Sequence, residues 1–165
     1  PVPGPVLITV TDAAAAAACH AAGTGATVSV PLGGSLSPAF FMPVIVTGVV
    51  TTLCDGEFRS RYPAQPAHAG PTAVLRAGQV HVVITSAPVR LLDAELYHRA
   101  GLDVRAAAVV LVKSSGGFRA TYQPIARRII EMDTRGPADH RLTALPYRRV
   151  SRPCWPWDSD VRRPW

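Results

Sequence analysis

Between Val6 and Lys113 the chain runs through stretches rich in Val, Ile and Thr, each cut short by Gly, Pro or an Asp-Gly pair. Such punctuation confines it to a fold organised on a β-sheet. Pro5 to Val10 reads as a first strand, after which Thr11 or Asp12 offers a side-chain oxygen to cap a helix over Ala13 to Ala22. Gly23 stops that helix, and Ala26 to Val30 returns as a strand, a β-α-β opening. Pro31 to Ser35 forms a loop. Pro43 to Leu53 is a long strand ending at Cys54-Asp55-Gly56, a hairpin signal that predicts Glu57 to Tyr62 as its returning arm.

Residues 63 to 71, rich in Pro and Ala, read as a loop covering a site or an interface. Thr72 to Arg76 and Val80 to Thr85 form a second hairpin around Ala77-Gly78-Gln79, its apolar second arm predicting a buried central strand. Asp93 caps a short helix through Arg99, closed by Gly101. Ala107 to Lys113 is another buried strand, linked by Ser114 to Gly117 to a short helix around Arg119 to Ala126, and Ile129 to Asp133 is a last short strand. From Thr134 onward Pro, Arg and Trp alternate without period, which predicts an extended arm docked through Tyr147, Trp155 and Trp157. The expectation is one soluble α/β domain over residues 1–158, a mixed β-sheet with hairpins and a few short helices, followed by a tail at 159–165. No internal repeat appears at any period, against solenoids and propellers.

Composition narrows the setting. At 165 residues and 48% hydrophobic, the chain can bury one continuous core without staples. Its longest apolar stretches, such as Ala39 to Val46, fall far short of the roughly 20 residues of a membrane span. The opening Pro1-Val2-Pro3-Gly4-Pro5 has no initiator Met and no leader pattern, so the chain reads as cut from something longer. Cys19, Cys54 and Cys154 are odd in number and widely spaced, without C-x-x-C, which argues against a disulfide framework or a thiolate zinc site and predicts a reducing cytoplasm.

A complete catalytic or metal-binding constellation is missing. His20, His68, His81, His98 and His140 are scattered with no H-E-x-x-H or H-x-H, so each reads as structural or surface. No G-x-S-x-G occurs, and Cys54 sits at a turn without a neighbouring base. The most suggestive local feature is Val112-Lys113-Ser114-Ser115-Gly116-Gly117-Phe118-Arg119, where a strand enters a small-residue loop before a helix and could present N–H groups, Lys113 and Arg119 to an anion. Lys113 precedes the glycines, so the phosphate-loop order is not met. Net charge is +6, five of it from residues 119–165, where ten Lys/Arg face five Asp/Glu. Arg and aromatic residues interleave there as in nucleic-acid binders, but the prolines among residues 146–165 favour an extended packing arm.

Five short motifs then fall in order: Ser29-Val30-Pro31-Leu32-Gly33-Gly34, Thr72-Ala73-Val74-Leu75-Arg76, Val82-Val83-Ile84-Thr85-Ser86, Leu111-Val112-Lys113-Ser114 with Phe118-Arg119-Ala120, and Pro146-Tyr147-Arg148-Arg149 with Arg152-Pro153-Cys154-Trp155-Pro156. From about Asp12 to Asp158 the chain resembles the C-terminal domain of the microcystinase C (MlrC-type) metallopeptidases. The resemblance implies a hydrolase of small or linearised peptides with one zinc, whose Asp and His ligands lie in a larger N-terminal domain absent from this chain. Lewis-acid activation of water against an amide carbonyl would be its chemistry. The implied partners are that domain and a peptide substrate, with no membrane or nucleic acid, and self-association stays open. Carried over residue by residue, Lys113, Ser114 and Arg119 are the site-facing group, Arg119 pairing either a substrate carboxylate or an acidic residue of the N-terminal domain. Where the family reads K-S-x-x-H-F-R-A, this chain has Gly117 in the His position, and the D-N-P-G-G-G segment that precedes the region in relatives is not present. Either this member is divergent or inactive, or that His is structural in relatives. The competing reading is a non-catalytic module that binds a protein or small anionic ligand through residues 114–119 and the basic tail.

Overall fold

The computed structural model describes residues 3–61, 64–90, 94–114, 117–134, 141–158 and 161. Six strands form one mixed sheet in the order β2-β3-β6-β7-β1-β8, built from β1 (Val6–Thr11), β2 (Thr27–Leu32), β3 (Val44–Cys54), β6 (Thr72–Ala77), β7 (Val80–Thr85) and β8 (Val109–Val110). A separate two-stranded ribbon joins β4 (Glu57–Arg61) to β5 (Ala64–His68). The β6–β7 hairpin lies where its apolar pattern predicts it, and Ala73 to Leu75 and Val82 to Ile84 are buried because both sheet faces are covered. On one face α1 (Ala13–Ala22) lays Ala15, Ala16 and Cys19 against Val50, Leu75 and Ile84. On the other, α2 (Glu95–Arg99) brings Leu96 and Tyr97 onto Leu7, Val74 and Val83.

The opening is not a β-α-β unit. Strand β1 pairs in parallel with β7 and β8, whereas β2 lies at the far edge, antiparallel to β3. The reason is the course of α1. Asp12 caps it, Oδ1 accepting from Ala15 N at 3.2 Å, and near its other end His20 Nε2 lies 3.2 Å from the Thr72 carbonyl oxygen. Thr72 is level with Thr85, and Thr85 with Thr11, so the helix crosses the strand ends instead of running back along β1. Gly23, at φ 82, ends it by donating to Cys19 O.

Strand β3 serves two neighbours. Residues Val44–Val49 pair with β2, and Val49–Cys54 with β6, with a register shift between Val50 and Thr52. A Cβ at Gly48 would meet the Arg76 carbonyl oxygen at 2.6 Å, so the crossing needs glycine. In a flat sheet the far end of β2 would lie about 30 Å from the end of β1 at the usual strand rise. Yet Gly33 N donates to Asp12 Oδ2 at 3.1 Å, which means that the β2–β3 ribbon curls back over α1.

Further expectations are corrected. Glu57–Arg61 does not return along β3, whose length is already divided between β2 and β6; it pairs with residues 64–68, which form a strand where a loop was expected. The run at 107–113 supplies only a two-residue edge strand, with Val109 and Leu111 exposed. Residues 129–133 carry no regular structure, and the helix begun at Arg119 is the single turn α3 (Arg119–Tyr122). Pro31 and Leu32, expected in a loop, complete β2. Asp93 lies outside the described residues, and α2 has no side-chain cap at Ala94.

Residues Pro1–Ile130 form one compact unit and Glu131–Trp165 a second. Within the second, Leu142–Ala144 make a 3-10 turn, the Tyr147 and Trp157 rings meet edge to face at 5.4 Å, and Asp158 accepts from Cys154 N and Arg152. Those bonds hold the Asp158 carboxyl below its ordinary range, the Cys154 N–H first and Arg152 second.

Replacing Asp12 by Ala removes the acceptor of two backbone N–H groups at a buried position. The expected loss is about 2 kcal/mol by urea denaturation, with a smaller loss for Asp12→Asn, which keeps one oxygen. Equal midpoints for all three proteins would dismiss the clamp.

Candidate functional site

The carboxyl ends of β1 and β7, the start of β6 and the end of β3 share one edge, with Thr11, Thr85, Thr72 and Cys54 in register across it. Sequence reasoning missed this row, whose members meet only through the fold. Thr72 and Thr85 are fully buried. Their hydroxyls are satisfied locally: Thr11 Oγ1 and Thr85 Oγ1 lie 3.1 Å apart, and Thr72 Oγ1 donates to the Gly70 carbonyl oxygen at 2.8 Å. The edge is thereby rigid and offers these groups little chemistry toward a ligand.

Tyr97 brings the segment after β8 to the same side of the sheet. Its hydroxyl accepts from Thr9 Oγ1 at 3.1 Å and donates to Leu111 O at 3.4 Å. Burial pushes the Tyr97 phenol above its usual range, partly opposed by the Thr9 hydrogen bond, so the donor keeps its proton. Leu111 N also donates to Leu7 O at 2.9 Å, which aims the following residues toward the carboxyl edge.

There Lys113 is exposed and Ser114 half-buried, Ser114 N closing a tight turn onto Val112 O at 3.1 Å. Arg119 opens α3, exposed, its guanidinium carbon 5.3 Å from the Phe118 ring centroid, while Phe118 packs on the core. Ser115 and Gly116 lie outside the described residues. The expected buried strand leading into a helix N-terminus is replaced by an edge strand and one helical turn, a weaker anion platform than the sequence suggested. Lys113 and Ser114 stand together by sequence, and Arg119 is held through its neighbour Phe118.

The described histidines lie on four separate elements, His20 on α1, His68 on β5, His81 on β7 and His98 on α2. His68 Nδ1 lies 3.3 Å from Glu57 Oε1 across the β4–β5 ribbon, and His98 Nδ1 3.6 Å from Glu95 Oε1. His81 on β7 has a buried Nδ1 with no hydrogen-bond partner among the described residues; burial and then the Arg76 guanidinium lower its affinity for a proton. His140 is outside the described residues. Among the described residues no group of three or more His, Cys, Asp or Glu could hold a metal ion. The described residues thus offer no ligand set for a zinc, which the sequence resemblance assigns to a different domain. A cavity of 230 Å³ between the β4–β5 ribbon and residues 88–90, lined by Ser60, Gln65, His68 and Arg90, is smaller than ordinary ligand pockets. No helix among the described residues is long and apolar enough to cross a membrane.

Fold and edge together define a mixed α/β domain whose sheet ends in a row of hydrogen-bonded groups. The chain belongs to the family described as the MlrC C-terminus, whose model matches residues 1–149. It is 23% identical over 137 residues to microcystinase C of Sphingomonas sp., a match covering 83% of this chain and 26% of that protein. It also resembles the crystal structure of a protein from Mesorhizobium sp. BNC1 provisionally named a metallopeptidase, with TM-score 0.81 and 26% identity over 97% of this chain and 32% of the other. The chain thus spans about a quarter to a third of the length of these relatives.

Arg99 fastens the α2 end of this arrangement to the ribbon, its Nη2 2.8 Å from Asp55 Oδ1 and its Nε donating to Glu57 O. The Glu57 N–H and then Arg99 depress the Asp55 pKa. A depressed carboxyl contributes stability that is complete above its unfolded value, near pH 4, and is lost as pH falls through the folded one. Asp55→Asn should therefore lower the urea midpoint at pH 7 and make less difference at pH 3; an equal difference at both would remove the pair from the account. Tyr97→Phe should cost about 1 kcal/mol and speed amide exchange of Leu111 to Ser114, since the Leu111 carbonyl loses its donor. Unchanged exchange would detach that segment from Tyr97.

Proposed function

We propose that this chain is the C-terminal domain of a zinc-dependent metallopeptidase acting on small or linearised peptides, of the kind that degrades microcystin. It supports or closes over a metal site held by an N-terminal domain. The observation that carries the reading is the family match over residues 1–149 in a chain whose described residues contain no metal-ligand cluster. A domain of this lineage without ligands of its own acts by presenting surface to the part that has them. The name of the Sphingomonas relative supports the substrate class, and the name of the Mesorhizobium protein supports the metallopeptidase class.

Within this reading Lys113, Ser114 and Arg119 face the substrate. Lys113 supplies a point charge, Ser114 a hydroxyl, and Arg119 a planar fork that can pair a peptide carboxylate or an acidic side chain of the N-terminal domain. Gly117 removes from this loop whatever the family imidazole does. Three free thiols, Cys19 buried and Cys54 and Cys154 partly so, suit a cytoplasmic setting. The isolated chain is then inactive.

Two measurements test the reading. Zinc titrated into the 165-residue chain should show no stoichiometric site, and tight one-to-one binding would contradict a metal held elsewhere. In the complete enzyme Arg119→Ala should lower turnover about tenfold to a hundredfold, the usual range for a charge-assisted contact, with metal content unchanged. Full turnover would reduce Arg119 to a packing residue.

A further inference from the structure

The least expected surface lies between β2 and β3. Met42 is 86% exposed, Ile45 66%, Leu36 and Val44 65%, and Phe40 55%, all within ten residues of sequence. Isolated apolar residues at a surface need no explanation, but a contiguous set marks a contact. The segment is not frayed. Ser37 N donates to Gly34 O, and the N–H groups of Phe40 and Phe41 donate to Ser37 O, at 3.0 to 3.1 Å. Gly34, at φ 80, lets the chain fold so closely that a Cβ there would meet the Phe41 carbonyl oxygen at 2.9 Å. Its base is tied to β1 by the Gly33–Asp12 bond. The apolar side chains are therefore displayed on a backbone that is already shaped.

The charge pattern limits what can cover it. Residues 21–54 contain no Asp, Glu, Lys, Arg or His in a chain of net charge +6. Surfaces that seek an anionic membrane or nucleic acid carry Lys or Arg beside their apolar groups, and this one has none. Charge-free apolar surface is the character of a permanent protein interface.

From these features we infer that the Leu36–Ile45 segment is the seat on which the metal-bearing domain of the metallopeptidase docks, an inference that rests on the function proposed above. Two observations select that occupant. The relatives are about three to four times longer than this chain, while the structural match already covers 97% of it, so about two thirds or more of each relative's polypeptide lies outside a domain like this one and is available to cover it. And the Gly33–Asp12 bond fixes the segment at the carboxyl end of β1, the edge toward which the chain after β8 carries Lys113 and Ser114. A domain seated on Phe40, Met42 and Ile45 stands beside that edge and can bring its metal to it. The exposed side chains of Val109 and Leu111 at β8 form a smaller surface on the opposite side of the sheet order.

The test compares the 165-residue chain with the complete metallopeptidase by hydroxyl-radical footprinting and amide exchange. Met42 oxidation and exchange across Phe40 to Ile45 should slow at least tenfold in the complete enzyme, independent of protein concentration. Met42→Ser with Ile45→Ser should restore fast exchange there and expose the domain junction to protease, while the 165-residue chain carrying both changes keeps its melting temperature. Equal rates in the two proteins overturn the inference, and so does protection that rises with concentration, the sign of a second copy. Metal content of the same samples separates the two claims: bound metal without protection rejects this docking surface alone, and protection without metal rejects the metallopeptidase reading.

Discussion

The buried carboxylate of Asp12 holds together parts of the chain that strand pairing alone would send apart. One oxygen takes the Ala15 N–H and starts α1, and the other takes the Gly33 N–H at the end of β2. Burying a carboxylate is costly unless its oxygens are met, and here two backbone donors and the positive end of a ten-residue helix meet them. From that point α1 has to cross the strand ends, and the β2–β3 ribbon has to curl over it. Val30 and Leu32 then reach Ala15, Ala16 and Cys19, and the helix is covered from both sides by residues with little or no side chain between. A bulkier helix face would not fit that gap, which is why a run of alanines with high helix propensity serves here.

Local signals were sufficient for the elements whose partners are close in sequence. The cap at Asp12, the stop at Gly23 and the β6–β7 hairpin follow from residues within a few positions of one another. Pairing over longer distances was hidden. Asp55-Gly56 carries the residue types of a hairpin turn, but β3 has β2 along its first half and β6 along its second, so β4 takes another partner. That partner contains Pro66, a residue that argues against a strand. It is tolerated because Pro66 faces Arg59 in a ribbon of only two strands, where a missing N–H can point away from the ladder. The run before Lys113 has the apolar composition of a central strand and ends at the edge, since composition records burial on one face and says nothing of a missing neighbour.

The candidate site divides in the same way. The wide spacing of His and Cys was legible, because it is read from the sequence itself; whether the fold gathers them was not. Lys113, Ser114 and Arg119 came from the order of short motifs, not from any local chemical pattern. The threonine row could not be read at all: Thr11, Thr72 and Thr85 come from three strands separated by as many as 74 positions. The tail was legible only as to its aromatic residues, of which Tyr147 and Trp157 find each other, and not as to the part played by Asp158 in closing the turn at Cys154.

What the edge lacks says as much as what it holds. Its threonine hydroxyls are used up within the row or by a backbone carbonyl, Tyr97 is committed to Thr9 and Leu111, and Asp12 is committed to two N–H groups. A surface built this way is stiff, because every polar group that moves would leave a partner unsatisfied in a poorly hydrated place. Stiffness suits a domain whose task is to hold a neighbour or a substrate in one position, where misplacement by an ångström is expensive in rate. In the proposed function, reactivity would be supplied by the N-terminal domain. In the proposed docking, the apolar, charge-free segment beside this edge would seat that domain, and its attachment through Asp12 would make the domain's position depend on the interaction that also sets the fold.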